Sequence, residues 1–251
     1  MPRPILPLLL LAAFPVLSCD RQPAQPSGGT EESTLAPVSA EAESRYAPRF
    51  DPDHFVRVVD NRFFPLRPGA RFVYFGEEDG EAEKNVIIVT DHRKNILGIS
   101  AIVVLDQVFV HGELKEKTFD WYAQDRDGNV WYLGEDTREL EDGKVVSTEG
   151  SWEAGVDGAE AGIIMPAHPR VGQHYRQEFL RGEAEDEARV MARGLDINVP
   201  YGSFHGCIKT MEWTRLEPGV REVKFYCPEV GFVKARGIEG PFARLVLRNV
   251  F

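Results

Sequence analysis

The sequence predicts a mostly β protein, a single domain of strongly curved antiparallel sheet, half-barrel or barrel-like, with few short helices. Short runs of branched and aromatic residues recur from Arg71 onward between polar turns, and long helical periodicity is absent. Asp127-Gly128 and Asp142-Gly143 are typical hairpin turns, because both residue types tolerate a positive φ. The strands around these turns carry aromatic residues on both faces. Both faces must therefore be covered, which favours a curved sheet over a flat one.

The first residues have the pattern of an exported lipoprotein. Arg3 precedes an apolar run of about a dozen residues, which is too short for a membrane-spanning helix of roughly 20. Val16–Cys19 resembles the bacterial lipobox, so residues 1–18 are predicted to be a signal peptide and Cys19 to carry acyl chains such as palmitate. The alternative is an ordinary secretory signal with Cys19 free. Asp20 favours the inner membrane, and the predicted location is the periplasmic face of a bacterial membrane.

The next segment is predicted to be a flexible tether over residues 19–50, because it is rich in Pro, Ser, Ala, Gly and Glu without an apolar period. Residues 51–251 are predicted to form the single β domain. The chain has 40 acidic and 29 basic residues, a net charge of −11 and no Lys/Arg cluster. A nucleic-acid partner is therefore not expected, whereas a cationic ligand is compatible with this charge.

The cysteines that remain after Cys19 are Cys207 and Cys227. An exported protein with two further cysteines is expected to join them in a disulfide. They flank a candidate hairpin with its turn at residues 217–219, which brings them close across two strands. The alternative is two separately buried thiols.

The best-defined part is a three-stranded meander over residues 117–154. If both Asp-Gly pairs are two-residue turns, Glu135 lies opposite Asp120, and Leu133 lies opposite both Tyr122 and Trp152. Side chains alternate between the faces of a sheet. One face is predicted to carry Asp120, Tyr122, Trp131, Leu133, Glu135 and Trp152. The other is predicted to carry Phe119, Trp121, Tyr132, Asp136, Glu149 and Glu153.

Several motifs resemble a family of uncharacterised exported bacterial lipoproteins: DWYAQDRDGNVWYLGEDT (residues 120–137), NRFFPLRPG (61–69), EGSWEAGVDG (149–158), GIIMP (162–166) and VPYGSF (199–204). The resemblance covers nearly all of residues 55–250 and implies an antiparallel β domain of unknown activity. More loosely, residues 199–204 followed by 225–233 look like the end of periplasmic half-barrels related to lipoprotein carriers, which cup apolar chains in a curved sheet. Cys227 stands where that pattern has a small residue.

The carboxylates of the meander are the candidate polar groups. Asp136, Glu149 and Glu153 share a predicted face, and like charges on a sheet are destabilising. A bound cation, a basic ligand or structural ion pairs with Arg62, Arg67 or Arg71 would offset this. The six histidines have no zinc spacing, Asp125–Asn129 lacks the downstream carboxylate of a calcium loop, and no nucleophile elbow or phosphate loop occurs. No metal, cofactor or catalytic residue is predicted.

Two glycine-rich stretches, Trp152–Gly158 and Gly162–Pro166, are apolar and too irregular for a predicted strand. They are interpreted either as a lid or plug across the open side of the sheet, or as a packed connecting loop.

The favoured functional hypothesis is a non-enzymatic, membrane-anchored periplasmic binding protein. An apolar or aromatic-contacting small molecule or lipid would lie on the concave face of the sheet. The predicted ligand-binding residues are Trp121, Tyr122, Trp131, Tyr132, Asp136, Trp152 and Glu153. One alternative is an interaction subunit of a cell-envelope assembly with an envelope protein as its partner. A further alternative is a glycan hydrolase that uses the carboxylates.

Overall fold

A computed structural model describes residues 46–240 and 243–251. These residues form sixteen β-strands, and their one helix is the 3-10 turn Pro52–His54. The predicted mostly antiparallel β fold is confirmed. No helix in the described ranges has the length and apolarity to span a membrane. The predicted signal peptide, Cys19 and most of the tether lie outside the described residues.

The strands run through the chain in the following order, with bounds given in parentheses: β1 (Phe55–Val56), β2 (Arg71–Glu78), β3 (Glu81–Ile96), β4 (Ile99–Val110), β5 (Glu113–Asp125), β6 (Val130–Glu141), β7 (Lys144–Ser147), β8 (Trp152–Glu153), β9 (Glu160–Met165), β10 (His174–Arg176), β11 (Glu178–Phe179), β12 (Asp186–Val199), β13 (Gly202–Thr214), β14 (Arg221–Cys227), β15 (Gly231–Glu239) and β16 (Ala243–Val250).

The strands form one nearly closed antiparallel barrel. Strands β12 to β16 are followed around the sheet by β2 to β6 and then by β9. Strand β10 pairs with β12, and β11 pairs with β9. Only Gln177 separates β10 from β11, so this short stretch connects the two ends of the sheet. Closure removes most of the unpaired edges that an open sheet would expose.

One end of the barrel interior, here called the aromatic half, is filled by rings. Tyr122 stacks on Tyr132 with the ring centroids 4.8 Å apart, and Phe64 lies 5.3 Å from Tyr122. Phe64 also lies 6.4 Å from Tyr226, whose ring contacts Phe232. Phe64 belongs to the loop between β1 and β2, so this loop covers the aromatic half of the barrel.

The other end, here called the acidic half, is lined by the buried carboxylates Glu78, Glu83, Glu116 and Glu212 and by the partly buried Glu222. Lys224 lies among them, with its Nζ 2.9 Å from Glu212 and 2.9 Å from Glu222. Because side chains alternate along each strand, Glu212 on β13 and Lys224 on β14 face inward.

The two predicted Asp-Gly turns differ in length. Asp142 and Gly143 have φ values of 50° and 72° and join the paired residues Glu141 and Lys144, which confirms a two-residue turn. At the other turn the Asp125 backbone N–H donates to the Asn129 carbonyl over 3.0 Å, so three residues lie in the loop. The prediction of a two-residue turn at Asp127-Gly128 is wrong.

The register of β5 and β6 changes once more at a bulge near Gly134. Asp120 lies opposite Glu135 as predicted, but Tyr122 lies opposite Tyr132 rather than Leu133. The extra loop residue and the bulge compensate each other, so the strand register from Glu135 onward is as predicted. Between the loop and Gly134 the register differs from the predicted one by one residue. Trp131 and Tyr132 are therefore on the opposite faces from those predicted. Trp152 pairs with Glu135, not with Leu133.

Two stretches predicted as irregular are ordered differently. Gly162–Met165 belongs to strand β9, and a Cβ on Gly162 would lie 2.2 Å from the Gln177 backbone. Glycine is needed there because the chain that closes the barrel passes directly over β9. Trp152 and Glu153 form the short strand β8, whereas Glu149 lies exposed in a turn outside the strands.

Three further contacts hold parts of the fold together. Cys207 and Cys227 are joined by a disulfide between β13 and β14. Tyr46 and Phe50, from the predicted tether, pack on the barrel. The Tyr46 hydroxyl donates to the Ala161 carbonyl over 2.8 Å, and Phe50 meets Trp131 edge-on at 4.9 Å.

Candidate functional site

A cleft of about 380 Å³ lies in the barrel wall beside β6 and is here called the wall cleft. Along this edge β6 pairs in turn with β9, with the two-residue strand β8 and with β7. The short β8 leaves a gap in the wall, bordered by Trp152 and Glu153 on one side and by Leu180 and Glu183 on the other. The volume lies within the range of small-molecule sites, about 300–1,000 Å³.

Four of the seven predicted ligand-binding residues line the wall cleft, namely Trp121, Asp136, Trp152 and Glu153. Tyr122 and Tyr132 lie behind it in the aromatic half, 2% and 0% exposed. Trp131 lies elsewhere on the outer face, where its Nε1–H donates to Asp125 over 2.8 Å. The structure therefore divides the predicted set into three separate locations.

The concave face offers little room for a ligand near these aromatic residues. The cavity lined by Tyr122, Phe64 and Asp106 has a volume of about 40 Å³. A cavity of this size holds one or a few water molecules and no larger ligand. Of these two spaces in the nearly closed barrel, the wall cleft, at about 380 Å³, offers a ligand more room than the cavity beside Tyr122.

A cation contributed by the protein itself occupies part of the cleft. The Lys94 Nζ lies 3.2 Å from the centre of the Trp121 ring and 2.7 Å from a carboxylate oxygen of Glu153. Lys94 is not among the residues predicted from the sequence to line a site. The sequence feature that could have indicated its position is the turn at Leu97-Gly98, which brings Lys94 opposite Ala101. It was not recognised because leucine seldom adopts a positive φ, here 52°.

The ion pair of Asp136 in the cleft is not with Arg62, Arg67 or Arg71, the partners predicted from the sequence. Arg138 binds Asp136 with a nitrogen–oxygen distance of 2.8 Å. Arg67 instead pairs with Glu229 on another surface. Asp157 and Glu183 add two further carboxylates to the lining. The outer side of the cleft is therefore acidic, with Lys94 and Arg138 each bound to one of its carboxylates.

The floor of the cleft includes Glu135, which is 2% exposed. Burial, and then the neighbouring carboxylates Asp120 and Glu178, raise the pKa of Glu135 well above its usual range. The Thr137 hydroxyl donates to Glu135 over 3.0 Å, and the Tyr132 hydroxyl donates to Asp120 over 2.8 Å. Burial therefore favours the neutral form of Glu135, whereas Glu153 faces the ammonium of Lys94.

The arrangement can bind a polar ligand against aromatic surface. Trp121 and Trp152 supply ring surface, and the carboxylates supply hydrogen-bond acceptors and negative charge. Within the described residues, no group of three or more His, Cys, Asp or Glu is arranged to hold a metal ion. The fold and the cleft together define a nearly closed antiparallel β-barrel with an acidic, aromatic cleft in its wall.

No protein-family model and no curated protein matches this chain. Among solved structures, the chain is similar to a protein from Bacteroides fragilis, described as exported and with a YMCC-like fold, at 15% identity and a TM-score of 0.47. It is also similar to a protein from Parabacteroides distasonis, described as a lipoprotein, at 11% identity and a TM-score of 0.37. Each alignment covers 76% of this chain and 99% of the other chain.

Proposed function

We propose that this chain is a membrane-anchored periplasmic binding lipoprotein whose small-molecule ligand lies in the wall cleft. The observation that carries the proposal is the cleft of about 380 Å³ that joins Trp121 and Trp152 to Asp136 and Glu153. Ligand sites commonly combine apolar and aromatic walls with a few placed polar groups. The wall cleft has both, since Trp121 and Trp152 lie beside Asp136 and Glu153.

The ligand is tested by native mass spectrometry of residues 20–251 purified from a bacterial periplasm, followed by denaturing extraction of what co-purifies. Glu153→Gln and Trp121→Ala are expected to lose the bound molecule. Trp131→Ala is the matched control, because this tryptophan lies outside the cleft. Trp152 is unsuitable as a variant, since its ring packs edge-on against Tyr132 at 5.2 Å and supports the core. A clean apo mass, or a ligand that Trp131→Ala also loses, contradicts the proposal.

The membrane anchor is a separate part of the proposal and rests on the lipobox-like residues that end in Cys19. Metabolic labelling with palmitate is expected to mark the full chain, and Cys19→Ser is expected to abolish both the label and the membrane attachment. Asp20 is the basis for proposing the inner membrane. Retention of the label in Cys19→Ser would contradict the proposed lipid anchor on Cys19. It would leave the proposed ligand site in the wall cleft unaffected.

One observation favours the alternative of an interaction subunit. Val145 and Val146 on β7 are 51% and 54% exposed, and β7 pairs with β6 alone among the described strands. An exposed apolar edge strand is a site where a partner strand can add. Purification of the protein and of Val145→Lys from its native envelope tests this. One stoichiometric protein that the variant loses would favour the interaction subunit.

A further inference from the structure

The wall cleft contains its own ammonium group in an arrangement that recognises cations. The Lys94 Nζ lies over the Trp121 ring at 3.2 Å and is bound to Glu153 at 2.7 Å. Tryptophan is the aromatic side chain that attracts cations most strongly, and a carboxylate adds direct charge pairing. The Lys94 and Glu153 side chains are 35% and 33% exposed. The pair therefore lies at the surface of the cleft, where another cation can reach it.

The charge of the cleft exceeds what Lys94 neutralises. Its lining holds five carboxyl groups, and Lys94 is the one basic residue among the described lining residues. Arg138 binds Asp136 from outside the lining, and burial favours the neutral form of Glu135. Asp157 and Glu183 remain as additional negative charges around the Lys94 position. A cationic ligand complements this surface, and an anionic ligand would be repelled.

A second polar group points to a ligand in the same cleft. Trp152 lines the cleft and is 5% exposed, and its buried indole N–H lies near Glu178 without reaching good hydrogen-bond geometry. Burial raises the pKa of Glu178 well above its usual range, and the nearby Trp152 N–H lowers it in part. A buried donor without a well-aligned acceptor is costly. A ligand oxygen that reaches this N–H would be stabilised there.

We propose that the ligand of the wall cleft carries a primary ammonium group, which takes the place of the Lys94 ammonium between the Trp121 ring and Glu153. This inference rests on the proposed function, because it names the chemistry of the ligand in the same cleft. An amino sugar and an alkyl diamine both present such a group. Val156 and Leu180 supply apolar surface beside it.

Matched pairs of probes that differ in the ammonium group test the inference by isothermal titration calorimetry on residues 20–251. The first pair is the disaccharide of glucosamine and its N-acetylated form. The second pair is 1,4-diaminobutane and 1,4-butanediol. At least one amine is expected to bind, and its neutral counterpart is expected not to bind. The pair that responds identifies the source of the ammonium.

Two variants report whether Lys94 holds the ligand position. Lys94→Ala is expected to tighten the binding of the amine about tenfold, the factor expected if Lys94 occupies the site nine-tenths of the time. Lys94→Gln keeps most of the side-chain length and is expected to act in the same direction. Glu153→Gln is expected to weaken binding by about tenfold or more, since it removes the charge-assisted contact.

The matched control is Lys84→Ala. Lys84 lies on the same strand β3, with its ammonium 5.0 Å from the Phe109 ring and outside the cleft, so binding is expected to be unchanged. Equal binding of the charged and neutral probes, or no tightening in both Lys94 variants, overturns the inference and leaves the proposed function standing. Absence of binding by every probe also overturns it. The proposed function fails with it only if no molecule co-purifies with the wild-type protein.

Discussion

The two halves of the barrel interior are filled by different kinds of side chain. In the aromatic half, rings such as Tyr122 and Tyr132 occupy the space, and the hydroxyl of Tyr132 is satisfied by Asp120. In the acidic half carboxylates face inward, and of the five named there Glu212 and Glu222 form ion pairs with a lysine of the described chain, Lys224. Packing stabilises the first half, whereas the second depends on protons and on Lys224.

The dependence of the acidic half on bound protons is seen in the pKa values of its carboxyl groups. Burial, followed by neighbouring carboxylates, raises the pKa of Glu78 to about 9 and those of Glu83 and Glu116 to about 8. Neither carboxyl oxygen of Glu78 has a hydrogen-bond partner among the described residues. A buried carboxyl group that lacks partners is less costly in its neutral form. The two halves are therefore expected to respond differently to loss of charge and to pH.

The largest effect is expected from Lys224→Ala. This change leaves the buried Glu212 and the partly buried Glu222 without their shared cation, and breaking a buried pair costs about 3–5 kcal/mol. Urea denaturation at pH 7 measures the loss in the free energy of unfolding. Lys234→Ala is the control, since its ammonium lies over the Phe225 ring at 5.5 Å on the outer face, and it is expected to cost less than about 1 kcal/mol. Equal costs for the two lysines would contradict the role given to Lys224.

Removal of the disulfide is expected to have the next largest effect and to act on the same two strands. Cys207 and Cys227 are separated by 20 residues, and a loop of this length corresponds to about 3 kcal/mol. The double variant Cys207→Ala, Cys227→Ala is expected to show this loss at pH 5 and at pH 8 alike. A loss that changes strongly with pH would link the disulfide to the acidic half.

The fold was predictable because its determinants are local. Alternating runs and the turn at Asp142-Gly143 specify antiparallel strands from neighbouring residues alone, and their pairing is as expected at Leu140 and Val145. The faces of β6 were not predictable from these rules. A three-residue loop at Gly128 and a bulge at Gly134 each shift the register by one residue. One shift exchanges the faces of every residue between them.

The candidate site was predictable only in part for the same reason. Trp121, Asp136 and Glu153 keep their predicted face because they lie beyond the bulge or on strands that it does not shift. Lys94 reaches Trp121 across two strand pairings, Lys94 with Ala101 and Val103 with Trp121. Contacts of that kind depend on the register of three strands at once. No motif in the sequence encodes them.

A smaller effect is expected from pH alone. In the folded state Glu83 and Glu116 have pKa values of about 8, above their unfolded values near 4.3. Their stabilising contribution is complete below the unfolded pKa and is lost as the pH rises through the folded pKa. The free energy of unfolding is therefore expected to fall by at least about 2 kcal/mol between pH 5 and pH 8. Chemical denaturation across this range measures the slope.

Two variants locate the source of this slope. Glu83→Gln cannot ionise and is expected to flatten the pH dependence. The control is Glu77→Gln, because Glu77 precedes Glu78 on β2 and faces the opposite side of the sheet. This variant is expected to leave the pH dependence unchanged. A profile that is flat in the wild-type protein, or unaffected by Glu83→Gln, would show that the acidic half is not stabilised by bound protons.

The smallest effect compares one hydroxyl from each half. The Thr118 hydroxyl donates to Glu116 over 3.0 Å in the acidic half, and the Tyr74 hydroxyl donates to the Phe232 carbonyl over 3.0 Å in the aromatic half. Thr118→Val and Tyr74→Phe are each expected to cost about 1 kcal/mol at pH 5. At pH 8 the cost of Thr118→Val is expected to grow, because the ionised Glu116 loses a donor that it needs more than the neutral acid does. The cost of Tyr74→Phe is expected to stay constant, since its acceptor does not titrate. If the costs of the two variants change in the same way between pH 5 and pH 8, the hydroxyls of the two halves do not differ in their dependence on pH.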